Sequence, residues 1–416
     1  MMNLPQKEQL RAYVDQHLEI SSKAQANQVI AELTAHAADW EVAKDWRDYF
    51  YQHYFLLLST AYVVKEDYKS ALVVLEDGLK DFEKVYKQYG YEVKAETYHR
   101  IGVCYCQLGD KDKAYKAFRN AVYYNLFNMN HTHYTNYEHY CFRGSDDYAI
   151  ADLRDNKLSL SSISDFNDPV DSAYFPWMEW QKKTVDKDGN KMFIELMTKA
   201  YGEFRARCFI GDTPLPDGYG TPRRRYDILP VYENTIMWAH YGNYHKGYCA
   251  KYVFPMDFTS QPEDNGIAIM MAPINYVEYM PYKDSMTFQE GFLTKSSRWS
   301  YEHENRIIYY QKDGTTLPHP EVKHPKGCLK EVYIGLRCEE SKVQAILDAV
   351  KDKPEVTVYK MRISERDIYS IEPEIIRKGS GLLKAEMKKE DNDCCCHKIY
   401  EYVRSKINKI KDIWKR

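Results

Sequence analysis

The chain has 416 residues, 44% apolar and 29% charged, with a formal net charge of −3. That length suits two domains with ordinary cores, and with charge this near balance nothing global points to nucleic acid. Residues 1–10 carry charges without an apolar centre, unlike a secretion signal, and no run reaches the roughly 20 apolar residues of a membrane span, so a cytoplasmic protein is expected.

Residues 1–127 read as helices. From residue 4 to 125 apolar side chains recur at three and four, the helical period, with little Pro or Gly to interrupt them. Helices at 4–20 and 24–39 form a first pair. Further on, Tyr98, Ile101, Gly102, Tyr105, Ala114, Phe118 and Ala121 keep one spacing around a turn at Gly109-Asp110. Ser59, Tyr62, Ala71, Leu75 and Gly78 match it 43 residues earlier. Small residues such as Gly102, Ala114 and Ala121 let two helices touch, and Tyr105 and Phe118 fill the space beside them. The pattern resembles the tetratricopeptide repeat, whose units bury their faces only by stacking. The resemblance implies a groove for a protein or peptide partner, or helices that brace the next domain.

Residues 128–139 read as a linker rich in polar aromatics. It holds His131, His133 and His139, but no Cys or carboxylate completes a convincing zinc set.

From residue 140 to 377 the helical period gives way to short runs of Val, Ile and Tyr. Strands are expected at 157–161, 248–254, 267–271, 306–310, 331–334 and 356–361, with helices at 146–154, 191–205, 284–292 and 340–350. This is an α+β domain, with antiparallel strands expected. Three clusters in it place aromatics beside charges, as the wall of a polar pocket would. They are Phe166-Asn167-Asp168-Pro169, Trp238-Ala239-His240-Tyr241 with His245-Lys246-Gly247, and Trp299 to Arg306. The first has turn composition, and Asp171 shares a face with Asp168 if a helix starts there. In the second, Trp238 and Tyr241 share a helical face, and His240 suits a general base or a hydrogen-bond donor to a ligand. Cys249 reads as a buried strand thiol. In the third, Glu302, Glu304 and Arg306 share one face if the segment is a strand. Paired carboxylates raise one another's pKa and an arginine lowers it again.

The order of motifs is specific. Tyr140-Cys141-Phe142-Arg143 precedes Leu158 to Ser161 and the Phe166 cluster. Met237 to Tyr241, His245 to Cys249, Lys295, Trp299-x-Tyr301-Glu302-x-Glu304-x-Arg306 and Val332 to Gly335 follow. From about residue 140 to 376 this resembles the bacterial family called domain of unknown function 2971, a name that carries no chemistry. The clusters also resemble an ADP-ribosyltransferase-like fold. That resemblance implies NAD as cofactor. Arg143 would hold its phosphates, and Ser159 or Ser161 would steady the nicotinamide side. Trp238, Tyr241 and Arg306 would wall the site. Glu302 or Glu304 would bind the ribose and stabilise an oxocarbenium-like transition state, with His240 the third catalytic candidate. A second reading is a Mg²⁺-dependent nuclease or phosphodiesterase using Asp168, Asp171, Glu302, Glu304 and Lys295, although the transferase reading needs no metal. A third is a non-enzymatic scaffold that binds a nucleotide or peptide. Arg143 and Glu302 facing one cleft would favour the transferase. Asp168 and Glu302 converging on a metal would favour the nuclease.

Residues 378–393, with Gly379, Ser380 and Gly381, read as a linker. Residues 394–416 read as a basic amphipathic helix that docks on its own protein or touches a membrane surface or nucleic acid. Adjacent Cys394, Cys395 and Cys396 are candidates for acylation, and the ten cysteines as a whole read as reduced thiols. A helical sensor ahead of an α+β effector suits a bacterial toxin or a phage-defence protein acting on a protein or nucleic-acid target.

Overall fold

The computed structural model describes residues 12–13, 19–35, 37, 50–85, 91–129, 138–184, 188–211, 230–260, 265–283, 286–313 and 317–380. An N-terminal helical region leads into a C-terminal domain built on a mixed sheet. The helices are α1 (Lys23–Ala35), α2 (Phe50–Val64), α3 (Tyr68–Val85), α4 (Tyr91–Gln107) and α5 (Lys111–Met129). Both hairpins, α2–α3 and α4–α5, turn through a residue of positive φ: Glu66 at 65° and Gly109 at 79°. These two positions are 43 residues apart, the offset read from the side chains. In α4, a Cβ on Gly102 would lie 2.4 Å from the Phe118 ring of α5, so the helices meet at a distance only glycine permits.

The rest of the chain comprises β1 (Glu138–Arg143), α6 (Asp147–Asp155), β2 (Lys157–Ser159), β3 (Ser161–Ser162), α7 (Tyr174–Thr184), α8 (Asp188–Tyr201), β4 (Arg205–Gly211), α9 (Thr235–His240), β5 (Tyr248–Val253), β6 (Ile267–Pro273) and β7 (Asn275–Val277). These are followed by α10 (Phe288–Phe292), β8 (Thr294–Ser296), β9 (Glu304–Gln311), β10 (Glu321–Lys323), β11 (Leu329–Ile334), α11 (Glu340–Ala349), β12 (Thr357–Ile363) and β13 (Ile371–Arg377). Among the described residues the main sheet runs β13-β12-β11-β5-β1-β4-β9-β6, with β3 also on β4. Most pairs are antiparallel, but β11 and β12 are parallel and joined through α11, so the sheet is mixed rather than antiparallel throughout.

Helices cover both faces, which is why the central strands are apolar on both sides. One face packs Phe209, Ile269, Ile307 and Val332 with α6 and α11 residues such as Leu153 and Ile346. On the other, Ala206, Met270, Ile308 and Tyr310 share a core with Met197 of α8 and with Phe118, Val122 and Tyr123 of α5. Arg119 of α5 pairs with Glu203 at 2.9 Å and donates to the Gln311 carbonyl at 2.6 Å. The last helical hairpin therefore belongs to the core of the sheet domain.

Several expectations are corrected. β1 begins at Glu138, so the stretch 128–139 ends inside the sheet. His139 there is fully buried, its ring 5.8 Å from that of Phe254. His131 and His133 lie outside the described residues. The helix expected to 205 ends at Tyr201, because Arg205 opens β4 with alternating burial. The run 157–161 divides, β2 pairing with β10 and β3 with β4. At the C-terminal end, Gly379 and Ser380 remain bonded to Thr357 and to the Pro354 carbonyl. The remainder of the expected linker, the basic helix and Cys394 to Cys396 lie outside the described residues. The seven described cysteines are free thiols. No helix among the described residues is long and apolar enough to cross a membrane.

Candidate functional site

β9 places Glu304, Arg306, Ile308 and Tyr310 on one face by strand alternation. Arg306 is a fully buried guanidinium, and it stays charged only if carboxylates reach it. Two do. Arg306 Nη2 donates to Asp171 Oδ1 at 2.8 Å and Oδ2 at 2.6 Å, and Arg306 Nε donates to Glu304 Oε1. Asp171 is delivered by the turn from Phe166, where the Asp171 amide donates to the Asp168 carbonyl at 3.0 Å. No helix starts there; α7 begins at Tyr174.

Lys295 of β8 bridges the same acids. Its Nζ lies 2.6 Å from Glu302 Oε2, 3.1 Å from Glu304 Oε2 and 3.4 Å from Asp171 Oδ2. Glu302 is not on the strand, contrary to the shared-face expectation. It ends a 3₁₀ turn over Ser297–Glu302, and His303, at φ 44°, turns the chain into β9. The turn still brings Glu302 beside Glu304. Tyr241, the cap of α9, donates to Glu302 Oε1 at 2.6 Å. Trp299 Nε1 donates to Asp168 Oδ2 at 2.7 Å, and its ring lies 4.9 Å from Lys295 Nζ.

Three carboxylates against two cations leave the cluster about one negative charge if all are ionised. The two glutamates are driven apart. Burial opposes ionisation of Glu304, but Arg306 and then Lys295 outweigh it and hold that carboxyl at about 2. For Glu302, burial outweighs Lys295 and Tyr241 and raises the carboxyl above its ordinary value. Burial and the Glu302 bond raise the Tyr241 phenol, so it remains a donor. Divergent values in one carboxylate pair are the pattern of groups with different chemical tasks.

The cluster opens on a cavity of about 330 Å³. β1 and β4 pair only at His139–Gly211 and Tyr140–Ile210, after which β4 is taken up by β3 at Ala206 and Arg205. The cavity lies in this split. Its wall includes Tyr140, Phe142, Cys208, Tyr241, Lys295, Asp168, Asp171, Glu302 and Glu304, together with Ser161, Arg207 and His319.

The expected site residues therefore separate. Glu302, Glu304, Tyr241 and Ser161 line the cavity. Arg306 sits beneath it, fully buried and spent on Asp171 and Glu304. Trp238 is core: it has no exposed surface, packs 5.0 Å from the Phe142 ring and donates Nε1 to the Tyr232 carbonyl. His240 is exposed outside the lining, its ring 6.4 Å from that of Trp299. Arg143 lies opposite Tyr248, whose side chain packs in the core of α6 and α11, so it points to the other sheet face. There it donates to Asp152 at 3.0 Å. Ser159 is buried on the same carboxylate through its hydroxyl at 2.6 Å. Arg143 and Glu302 thus do not face one cleft. Sequence reasoning missed Arg207, His319 and Tyr276, whose hydroxyl accepts from the Glu304 amide at 2.9 Å. The alternation of Arg205 and Arg207 was the available signal for β4.

For the metal reading, Asp171, Glu302 and Glu304 converge on the Lys295 ammonium, which fills the position a shared cation would need. Comparison of the chain with family models, with curated proteins and with solved structures found no match.

Proposed function

We propose that the cavity between β1 and β4 binds NAD⁺ and that Glu302 acts on the ribose beside the nicotinamide, in ADP-ribose transfer or NAD⁺ cleavage. One observation carries the proposal: Glu302 lines the cavity with its pKa raised, bonded to Tyr241 and Lys295 of the same wall. A carboxylate so placed accepts from a ribose hydroxyl and stabilises positive charge developing at the adjacent carbon. In the step, the bond from ribose C1′ to the nicotinamide nitrogen breaks and its electron pair leaves with neutral nicotinamide. Water or a nucleophilic side chain of a target protein then bonds to C1′ and loses a proton. Glu304, held ionised by Arg306, fixes Lys295, and Lys295 fixes Glu302. Aromatic walls with a few convergent polar groups, in a volume of this size, suit a nucleotide.

The helices extend the proposal to an effector of the toxin or phage-defence kind, its α+β part related to domain of unknown function 2971. Since α5 is spent on the shared core, α1 to α3 are the tetratricopeptide-like surface proposed to take a protein or peptide partner.

The test is incubation of the full chain with labelled NAD⁺ and cell lysate. Wild type should release nicotinamide or label a protein, and Glu302→Gln should lower the rate roughly 100-fold or more. Neither NAD⁺ loss nor labelling by wild type would overturn the proposal, and metal-dependent loss of nucleic acid in the same tubes would support the nuclease reading instead.

A further inference from the structure

Lys295 has three carboxylates in reach, and where its ammonium sits decides how much positive charge Glu302 receives. Arg306 already serves two of the three, donating to both oxygens of Asp171 and both oxygens of Glu304. Glu302 has no second cation of this kind. Among the described residues it pairs with Lys295 alone, at 2.6 Å, against 3.1 Å from that ammonium to Glu304 and 3.4 Å to Asp171. A point charge on a flexible four-carbon stem does not by itself choose among three acids.

Trp299 is placed to make that choice. It belongs to the 3₁₀ turn Ser297–Glu302 and stands three residues before Glu302, the spacing at which the side chains of such a turn eclipse. Its ring and the Glu302 carboxylate therefore lie on one side. The Lys295 ammonium, in a residue only 7% exposed, is 4.9 Å from the indole centroid, within reach of a cation–π attraction that burial strengthens. The indole is fixed in turn. Its Nε1 donates to Asp168 Oδ2 at 2.7 Å, while Asp168 Oδ1 accepts from the Val170 amide at 3.0 Å. Both oxygens of Asp168 are thus committed, although that residue lines the cavity; Trp299 itself lies outside the lining.

We infer that Trp299, oriented by Asp168, is the positioning residue that aims Lys295 at Glu302. The indole face tips the ammonium toward the one carboxylate that Arg306 does not serve. Asp168 acts through the indole rather than on a ligand. Without the face the ammonium shifts toward Glu304 and Asp171, and Glu302, with less positive charge beside it, keeps its proton to higher pH. Tyr241, Tyr276, Tyr301 and Glu304 also face Glu302, with Asp171 beyond Lys295 and Cys208 of β4 beside Glu304. The exposed His240 has its ring 6.4 Å from that of Trp299. The placement of the ammonium stands on geometry alone; its effect on turnover rests on the proposed function.

Titration of Glu302 by carboxyl-carbon NMR of the full chain, labelled at its glutamates, tests this without any substrate. The Glu302 signal is the one that Glu302→Gln removes. Its midpoint should rise by up to about one pH unit in Trp299→Leu, which loses both the ring face and the Asp168 bond. It should rise by less in Trp299→Phe, which keeps a face and serves if the leucine variant does not fold. NAD⁺ turnover gives the second readout. Glu302 must be ionised to act, so the acid limb of the kcat profile should move up with the midpoint. Below both midpoints kcat of Trp299→Leu should be roughly 10-fold lower, with KM unchanged. Equal midpoints in wild type and both variants overturn the inference and leave the NAD⁺ reading standing. Midpoints in the expected order, with no turnover by wild type, support the inference and sink the NAD⁺ reading. A raised KM at unchanged kcat makes Trp299 a ligand contact and overturns the inference.

Discussion

At the scale of single residues, the two glutamates make opposite predictions. Glu304 has a folded pKa of about 2, below the value near 4.3 of an unfolded chain. Its contribution is therefore full above the unfolded value and lost as pH falls from about 5 to about 2, and amounts to about 3 kcal/mol. Urea titrations across that window should show the midpoint falling, and Glu304→Gln should show a lower midpoint at neutral pH with a flatter profile. Glu302 is raised by burial, so its ionised form weakens the folded state at neutral pH. Glu302→Gln should have a melting temperature at pH 7 equal to or above that of wild type while losing activity. A clear drop would make Glu302 structural. Arg306→Leu leaves Glu304 and Asp171 buried without their guanidinium, and should cost about 3–5 kcal/mol by chemical denaturation. That Trp299, Glu302, Glu304 and Arg306 gather around Lys295 and two aspartates was legible in part, because charges and aromatics crowd together in that stretch of sequence. Trp238 misled because a buried indole bonded to a backbone carbonyl has the same local sequence as one facing a ligand. Arg143 misled because strand alternation points it away from Glu302, and strand boundaries must be known before faces can be assigned.

Among the elements, the periodic helices were readable and the sheet was readable only in part. Strands β5, β6, β9, β11 and β12 announce themselves as runs of β-branched and aromatic residues between turn residues. β1, β4 and β13 do not. β4 follows α8 after three residues, and its Arg-Ala-Arg alternation continues a helical pattern without a break. That miss matters, because β4 supplies Arg207 and Cys208 and forms one side of the split. The split itself follows from pairing, which single-sequence patterns do not report: β1 leaves β4 after two residue pairs. The α4–α5 packing was legible from small residues alone. Gly102→Leu should force these helices apart, since even a Cβ would stand 2.4 Å from Phe118. A loss of about 1–3 kcal/mol or more in stability, read by thermal denaturation, is expected.

For the whole molecule, α4 and α5 share one core with the sheet, so the expected boundary near residue 128 is a boundary of pattern rather than of folding. Phe118, Val122, Met197, Ile308 and Tyr310 lie in a single cluster. A chain starting at residue 138 should expose that surface and aggregate or fail to melt cooperatively, whereas one starting at residue 91, retaining α4 and α5, should stay folded. The helices and the sheet domain are joined by the Arg119–Glu203 ion pair as well as by this core. The central claim is that a nucleotide occupies the split between β1 and β4 with its ribose at position 302. A crystal structure of the Glu302→Gln variant soaked with NAD⁺ tests it most directly. Density between β1 and β4, with a ribose hydroxyl within hydrogen-bond distance of the side chain at 302, is the predicted result. An empty split at saturating NAD⁺, or the nucleotide bound elsewhere, would contradict it.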